Sequence, residues 1–248
     1  MRSFTTNMKV MSEYAQKTLA EIVTRSHTTA PVLERYHLDF CCKGKRTLAH
    51  ACSEKGLVLE EVELELVQAV QDSSGLQEQI FLEMSNEQLI SYILLKHHFY
   101  VRQNMPIIYG HLEKVAIKHG DRYPNMRQAY LKFAMLKTEL ENHMQKEEQI
   151  LFPRIRHFEN EKFSNAESRK QFANMIHAPV SIMESEHDHA GSLMQEIRRL
   201  TNDYTPAEDA CTTHRLCLQE LHEFEEDLHR HVHLENNILF PRAAAMVS

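Results

Sequence analysis

The sequence predicts an all-α protein in which a small helical N-terminal domain precedes an up-down-up-down bundle of four long helices. Three observations favour this fold class. The 248 residues include only 6 Gly and 7 Pro, which are too few for a turn-rich strand protein. Beyond about residue 76 the apolar pattern is helical throughout. Short connections between long helices imply antiparallel neighbours.

Composition and charge exclude several classes of function. A formal net charge of -7 argues against a nucleic acid or an anionic membrane as partner. There is no apolar stretch of membrane-spanning length and no secretory signal pattern, so a cytoplasmic protein is expected. Five Cys do not suggest a disulfide framework. Seventeen His residues make the chain rich in potential metal ligands.

Residues 1–75 are expected to form the N-terminal domain. A first amphipathic helix is indicated by four apolar positions: Val10, Tyr14, Leu19 and Ile22. Later elements are marked by helix-starting and turn residues: Pro31, Gly44, Thr47, Gly56 and Leu59. The stretch 71–75, Gln-Asp-Ser-Ser-Gly, is the best linker candidate.

Residues 76–248 are expected to form the bundle. Its four helices are predicted at about 86–118, 124–158, 166–201 and 208–246. Ser85 and Gln88 have the spacing of a capping box, which predicts the start of the first helix.

A nearly duplicated motif occurs in the second and fourth helices. His143–Arg154 and His231–Arg242 both read H-x-x-x-E-x-x-I-L-F-P-R. Because positions i and i+4 share one face of a helix, each copy presents an imidazole and a carboxylate to the same point. Two such copies predict a site for two metal ions.

One further His precedes each copy at a similar distance. The separations are 45 residues from His98 to His143 and 44 from His187 to His231. Each helical hairpin would therefore supply one His from its first helix and a His/Glu pair from its second. At this resolution His97 remains an alternative to His98.

Helical faces separate the candidate ligands from other His residues. Each motif shares a face with apolar residues, which are Leu136, Leu140 and Ile150 in the first copy and Phe224, Leu228 and Ile238 in the second. A carboxylate on such a face is costly to bury unless it is paired or bound to metal. By contrast, His229 and His233 share a face with Glu225, Glu226 and Asn236 and are expected in solvent. His222 lies on that polar side, and His189 falls off the apolar face of its own helix.

The predicted donor set is four imidazoles and two carboxylates. Bridging carboxylates in a bundle interior are typical of di-iron and di-manganese sites, and iron is preferred over manganese. Zinc usually takes four ligands and needs no carboxylate bridge. Open positions would remain for an oxo bridge, O2, NO or water.

Together with the motif pair, the segments Asp39-Phe-Cys-Cys-Lys-Gly-Lys-Arg-Thr-Leu48 and Glu184-Ser-Glu-His187-Asp resemble the repair-of-iron-centres (Ric) family, also called the ScdA/YtfE type. The resemblance covers about residue 8 to Arg242. It implies a hemerythrin-like bundle with an oxo- and carboxylate-bridged di-iron centre behind a Cys-Cys domain. It also implies repair of iron–sulfur clusters after nitrosative or oxidative stress.

The resemblance also assigns residues. It places the six ligands on His98, His143, Glu147, His187, His231 and Glu235, with Arg102-x-x-x-Pro106 fixing His98 rather than His97. The sequence departs from the family by Lys43-Gly44 after the Cys pair, where Gly-Gly is common, and by a longer stretch from Arg154 to Met175.

Cys41 and Cys42 are candidate transfer thiols. The cationic residues Lys43, Lys45 and Arg46 are expected to lower thiol pKa values and favour the thiolate. The other three Cys residues are interpreted as structural.

Three functions compete at this point. A non-enzymatic iron donor is favoured, with damaged iron–sulfur proteins or a cluster-assembly scaffold as partners. The alternatives are a hemerythrin-like protein that binds or senses O2 or NO, and an NO-metabolising di-iron enzyme. A homodimer is compatible with the sequence.

Overall fold

The structure, a computed structural model, describes residues 14–72, 80–159 and 166–247. These residues form helices joined by turns, without a strand. Thr18 and Thr47 form an isolated antiparallel bridge. The predicted all-α class is confirmed.

The chain divides into two compact units. The first contains the described residues up to Ser85 together with Val232–Pro241, and the second contains Asn86–His231 and Arg242 onward. The predicted domain boundary after residue 75 stays a prediction.

The first unit contains short helices with well-defined ends. They are α1 (Leu19–Arg25), α2 (Ala30–Arg35), α3 (Leu48–Lys55), α4 (Leu59–Asp72) and α5 (Ile80–Glu83), with a 3-10 turn at His27–Thr29. Thr18 and Glu21 form a capping box at the start of α1. Thr47 caps α3, and Gly56 ends it with φ 65°, a left-handed conformation that glycine adopts readily. Val10 and residues 73–75 of the linker candidate lie outside the described residues.

The four long helices predicted for the bundle are present, and three contain a five-residue π-helical segment. They comprise α6 (Asn86–Ile93), π segment Leu94–His98 and α7 (Phe99–His119); α8 (Pro124–Lys146), π segment Glu147–Leu151 and α9 (Phe152–Glu159); α10 (Ala166–Leu200); and α11 (Thr212–Leu234), π segment Glu235–Leu239 and α12 (Phe240–Met246). The last helix begins four residues later than predicted. Arg215 instead donates hydrogen bonds to the carbonyls of Ala207, Glu208 and Ala210 in the preceding turn.

Packing within the second unit agrees with an up-down bundle. Helix α8 packs against α7 and α10. Helix α11 meets α8 where Phe133 and Phe224 pack edge to face, with ring centroids 5.6 Å apart. It meets α10 through the buried Glu225, which accepts hydrogen bonds from Arg198. At one end of the bundle the Glu159 carboxylate accepts the amides of Asn86 and Glu87, which caps the first helix. The predicted Ser85 capping box stays a prediction.

Candidate metal centre

All six side chains predicted as ligands are deeply buried. None exceeds 3 % exposure: His98, His143, Glu147, His187, His231 and Glu235. Carboxylates are rarely buried to this degree unless cations or metals compensate their charge. The six residues therefore have the burial expected of a metal centre.

These side chains form two groups, and both groups contain both carboxylates. One group is His98, Glu147, His231 and Glu235, and the other is His143, Glu147, His187 and Glu235. Within each group one potential ligand atom per residue lies within 4.8 Å of all the others. Two carboxylates common to both groups are the arrangement needed to bridge two ions.

The distances around Glu147 fit shared coordination. Its Oε2 lies 3.4 Å from His98 Nε2 and 3.4 Å from His143 Nε2. Nitrogen and oxygen donors about 2.0–2.2 Å from one metal are about 3–3.4 Å apart, depending on the angle between them. In the second group His143 Nε2 also lies 2.9 Å from His187 Nε2. The four imidazoles and two carboxylates thus fit a two-metal centre.

The π segments coincide with three of these residues. His98 ends the first, Glu147 begins the second and Glu235 begins the third. The π conformation is rare and is often found at functional sites. In both motif copies the amide of the following Phe bonds to the carbonyl of the ligand Glu, five residues earlier. The repeat is therefore one of backbone conformation as well as of sequence.

Glu148 supports His98 from outside the groups. Its Oε1 lies 2.6 Å from His98 Nδ1, and Arg102 donates to both of its oxygens. Because a carboxylate is an acceptor, it favours a proton on Nδ1, so that Nε2 carries the lone pair that would bind a metal. Burial acts to raise the pKa of Glu148, but hydrogen bonds from Arg102 and His98 outweigh it and hold the pKa below its usual value.

Glu186 has the same role for His143. Its Oε2 lies 2.9 Å from His143 Nδ1, and its other oxygen accepts from Lys146. Burial again acts to raise the pKa of Glu186, and hydrogen bonds from Lys146 and His143 lower it overall. Each group thus has one imidazole oriented by a partly exposed carboxylate with a cationic partner.

His97, the alternative that the sequence left open, lies outside both groups. It is buried, its Nδ1 is 3.0 Å from Asp227 Oδ1, and its ring stacks on His231 with centroids 5.4 Å apart. His98 is a member of the first group. His97 therefore packs against a candidate ligand.

Two expectations about helical faces were wrong. Ile150 is 43 % exposed, and Leu151 is buried in its place. The π segment adds a residue to the turn, which shifts the apolar face by one position. His233 is buried rather than solvated, because Thr24 and the ring of Phe40 cover it. Burial lowers the pKa of His233 to about 4, although a hydrogen bond to the Phe40 backbone opposes that shift.

Other expectations about faces were correct. The side chains of His222 and His189 are more than half exposed. His222 lies 3.6 Å from Glu226, four residues along the polar side of the same helix. This His/Glu pair has ligand-like spacing without burial, which makes it a natural control for the metal centre.

The Cys pair lies in a tight turn of the first unit. Cys41 is buried and Cys42 is partly exposed, and neither forms a disulfide. The expected lowering of pKa is wrong for Cys41. Its hydrogen bond to Cys42, its burial and the Asp39 carboxylate all raise the pKa of its thiol. The cationic residues that follow Cys41 in sequence therefore do not offset the effects of burial and of the Asp39 carboxylate on the pKa of its thiol.

Three supporting residues were not predicted from the sequence: Glu148, Glu186 and Asp227. A signal existed for two of them, because Glu148 directly follows a ligand and Glu186 directly precedes one. Acidic neighbours of metal-binding His residues commonly orient the imidazole. Asp227 had no comparable signal, since it meets His97 from another helix.

Comparisons with known proteins cover nearly the whole chain. Residues 89–243 match the family described as Hemerythrin HHE cation binding domain. Residues 15–70 match ScdA_N, described as Domain of Unknown function (DUF542). Relatives named "Iron-sulfur cluster repair protein YtfE" occur in Escherichia coli strain UMN026, Shigella boydii serotype 4 and Citrobacter koseri. Each is 34% identical over 233 residues, which are 94% of this chain and 98% of the relative. Among the described residues, no helix combines the length and apolarity that crossing a membrane requires.

Proposed function

The chain belongs to the YtfE/ScdA-type family of iron–sulfur cluster repair proteins, and we propose that it restores damaged clusters by supplying iron from a two-metal centre. The observation that carries this proposal is the pair of buried His/Glu groups with two carboxylates in common. Repair is needed after nitrosative or oxidative damage, and the iron is cargo rather than a permanent catalyst.

The six buried residues are proposed as the metal ligands. His98 and His231 would bind one ion, His143 and His187 the other, and Glu147 and Glu235 both. Imidazole and carboxylate donors with shared carboxylates suit iron best and manganese second. When bound, the two ions would supply redox chemistry, and these six donors would hold them.

The orienting carboxylates support controlled release. Glu148 and Glu186 are partly exposed and pair with Arg102 and Lys146. A partner that bound Arg102 and Lys146 would separate these side chains from Glu148 and Glu186. The two carboxylates would then hold the imidazoles of His98 and His143 less firmly in place. Delivery would then couple to docking, with Cys41 and Cys42 as transfer thiols.

The proposed partners follow from this role. They are damaged iron–sulfur proteins or a cluster-assembly scaffold, and NO or O2 as small ligands of the metal centre. The cytoplasm is the proposed location. An iron donor is favoured over an enzyme.

A second candidate is reversible binding or sensing of O2 or NO. The hemerythrin match over residues 89–243 favours it. A carrier of this kind would keep its iron while the ligand exchanged, whereas a donor would lose iron to an acceptor.

One reactivation experiment separates the two. Full-length iron-loaded protein is mixed with an iron–sulfur enzyme inactivated by NO, and both activity and iron remaining on the chain are measured. The expected result is faster reactivation than with equal free ferrous iron, together with loss of iron from the chain. Glu235→Gln should abolish this advantage, and Glu226→Gln, which changes the exposed His222 pair, should keep it. Equal rates with free iron would overturn the donor role.

A further inference from the structure

A third cluster of ligand-type side chains lies in the first unit and has no member among the six buried residues. Asp39, Cys41 and Cys42 each offer one atom within 4.8 Å of the others. Cys41 Sγ lies 3.7 Å from Cys42 Sγ and 3.3 Å from Asp39 Oδ1. Two sulfurs and a carboxylate form a donor set different from that of the bundle.

The separations fit a tetrahedral cation. Two sulfurs about 2.3 Å from one metal at a tetrahedral angle are about 3.8 Å apart. The observed 3.7 Å between the two sulfurs is close to this value. Asp39 Oδ1 lies 3.3 Å from Cys41 Sγ, which brings the carboxylate within reach of the same ion. Small side-chain adjustments would therefore complete the coordination.

The turn that carries these side chains is held from several directions. Asp39 Oδ1 accepts the amides of Cys41, Cys42 and Lys43, so the second carboxylate oxygen, Oδ2, is the one that would bind the cation. Asn237 Nδ2 donates to the carbonyls of Phe40 and Cys41, each at 3.3 Å. At Gly44 an added Cβ would lie 2.2 Å from the Phe40 carbonyl oxygen, so the turn accepts only glycine there without moving. A site held in this way needs little ordering when a ligand binds.

We propose that Asp39, Cys41 and Cys42 bind one thiophilic divalent cation, with a fourth position left open. Binding forms two metal–sulfur bonds and one metal–oxygen bond and releases the two thiol protons to solvent, with no change of oxidation state. If the cation is ferrous iron delivered for repair, the inference rests on the proposed function. Binding of a thiophilic divalent cation as such does not depend on that function.

Three protein ligands suit exchange rather than permanent storage. Structural sites usually close four positions, whereas sites that exchange ligands keep one open. Asp39 and Cys42 are partly exposed and give access from solvent, while Cys41 is buried. The site could therefore receive an ion and pass it to an acceptor thiolate through the open position.

Cobalt(II) provides a direct test because its charge-transfer absorption reports sulfur ligation. Reduced full-length protein is titrated with Co2+ under anaerobic conditions. Nitrogen and oxygen donors of the bundle give no sulfur-to-cobalt band. The expected result is a near-ultraviolet band that grows as cobalt is added and levels off at the intensity of one cobalt bound by two sulfurs per chain. Absence of the band would overturn the inference.

Three variants locate the band. Cys42→Ser should remove it, and Asp39→Asn should weaken the affinity by at least about tenfold, the smaller effect seen when support of a metal site is lost. Cys211→Ser is the matched control, because Cys211 is also partly exposed and its Sγ lies 3.4 Å from His119 Nε2. A band that survives Cys42→Ser and disappears in Cys211→Ser would also overturn the inference.

The two proposals can fail separately. A cobalt–sulfur band in a protein that does not reactivate the damaged enzyme would leave the third site intact and remove the repair role. Full reactivation of the damaged enzyme without the cobalt–sulfur band would support the repair role and overturn the third site.

Discussion

The two motif copies have the same candidate ligands but different surroundings. In the first copy Gln145 and Ile150 are exposed, while the corresponding His233 and Ile238 of the second copy are buried. The first copy continues with Glu148, which orients His98. The second has Asn236 at that position, and Asn236 Nδ2 lies 3.4 Å from the carbonyl oxygen of Cys41.

This difference distinguishes the residues that would bind metal from the residues that hold them or the Cys pair in place. The His and Glu spacing and the π segment recur, because both copies must bring an imidazole and a carboxylate to one point. In the first copy the residue after the Glu, Glu148, is a carboxylate that supports a candidate ligand. In the second copy it is an amide, Asn236, that contacts the turn carrying Cys41 and Cys42, called the Cys turn below. The second copy therefore contributes to both the metal centre and the Cys turn.

Replacing either shared carboxylate should have the largest effect. Glu147→Gln and Glu235→Gln are each expected to reduce bound metal from two ions per chain to one or none, since each Glu belongs to both groups. Metal analysis and circular dichroism of the purified variants measure this. Glu226→Gln should keep full metal content. Retention of two ions in Glu147→Gln or Glu235→Gln would contradict the bridging role. A different loss of bound metal in the two variants would show that the two motif copies do not contribute equally.

The buried isoleucine should come next. Ile238→Ala is expected to lower the free energy of unfolding by about 2–5 kcal/mol, because a fully buried side chain leaves a cavity. Ile150→Ala should change it by less than about 1 kcal/mol, because 43 % of that side chain is exposed, against 3 % of Ile238. Urea denaturation of the metal-free proteins gives both values. An equal decrease in the free energy of unfolding would mean that Ile150 and Ile238 are equally buried.

Local patterns predicted the helices and the candidate ligands. Apolar periodicity and the spacing of four between His and Glu act within one helix, so they are visible in sequence. Ile150 was misplaced because a π segment changes the period within a single turn. In the two motif copies a Pro stands at the second position after the π segment, Pro153 or Pro241, and was an available signal, since Pro cannot donate the helical hydrogen bond.

Long-range contacts account for the remaining errors. His233 looks solvated on a helical wheel, yet Thr24 and Phe40, about two hundred positions earlier, cover it. The raised pKa of Cys41 likewise depends on burial and on how the turn places Asp39 and Cys42. Neither contact leaves a periodic trace in the sequence.

The orienting carboxylate should have a smaller effect than the ligands. Glu148→Gln is expected to weaken metal binding by about 10–100-fold, because the neutral amide holds the Nδ1 proton of His98 less firmly. Asn236→Ala at the corresponding position should leave metal affinity nearly unchanged. Competition against a chelator of known affinity measures both variants. A similar loss in Asn236→Ala would show that the second copy also supports a ligand from this position.

The smallest expected effect tests the contacts of the second copy with the Cys turn. Asn237→Ala removes the hydrogen bonds to the carbonyls of Phe40 and Cys41. Hydrogen bonds of this kind contribute about 0.5–1.5 kcal/mol, so opening of the turn and alkylation of the buried Cys41 should become about two- to tenfold faster. Gln149→Ala, the exposed counterpart in the first copy, should leave the rate unchanged. Peptide mass analysis after timed iodoacetamide treatment assigns the rate to Cys41. Equal rates in both variants would mean that the Cys turn is held by its own contacts, with Asp39 as the acceptor of its amides, and not by the repeat.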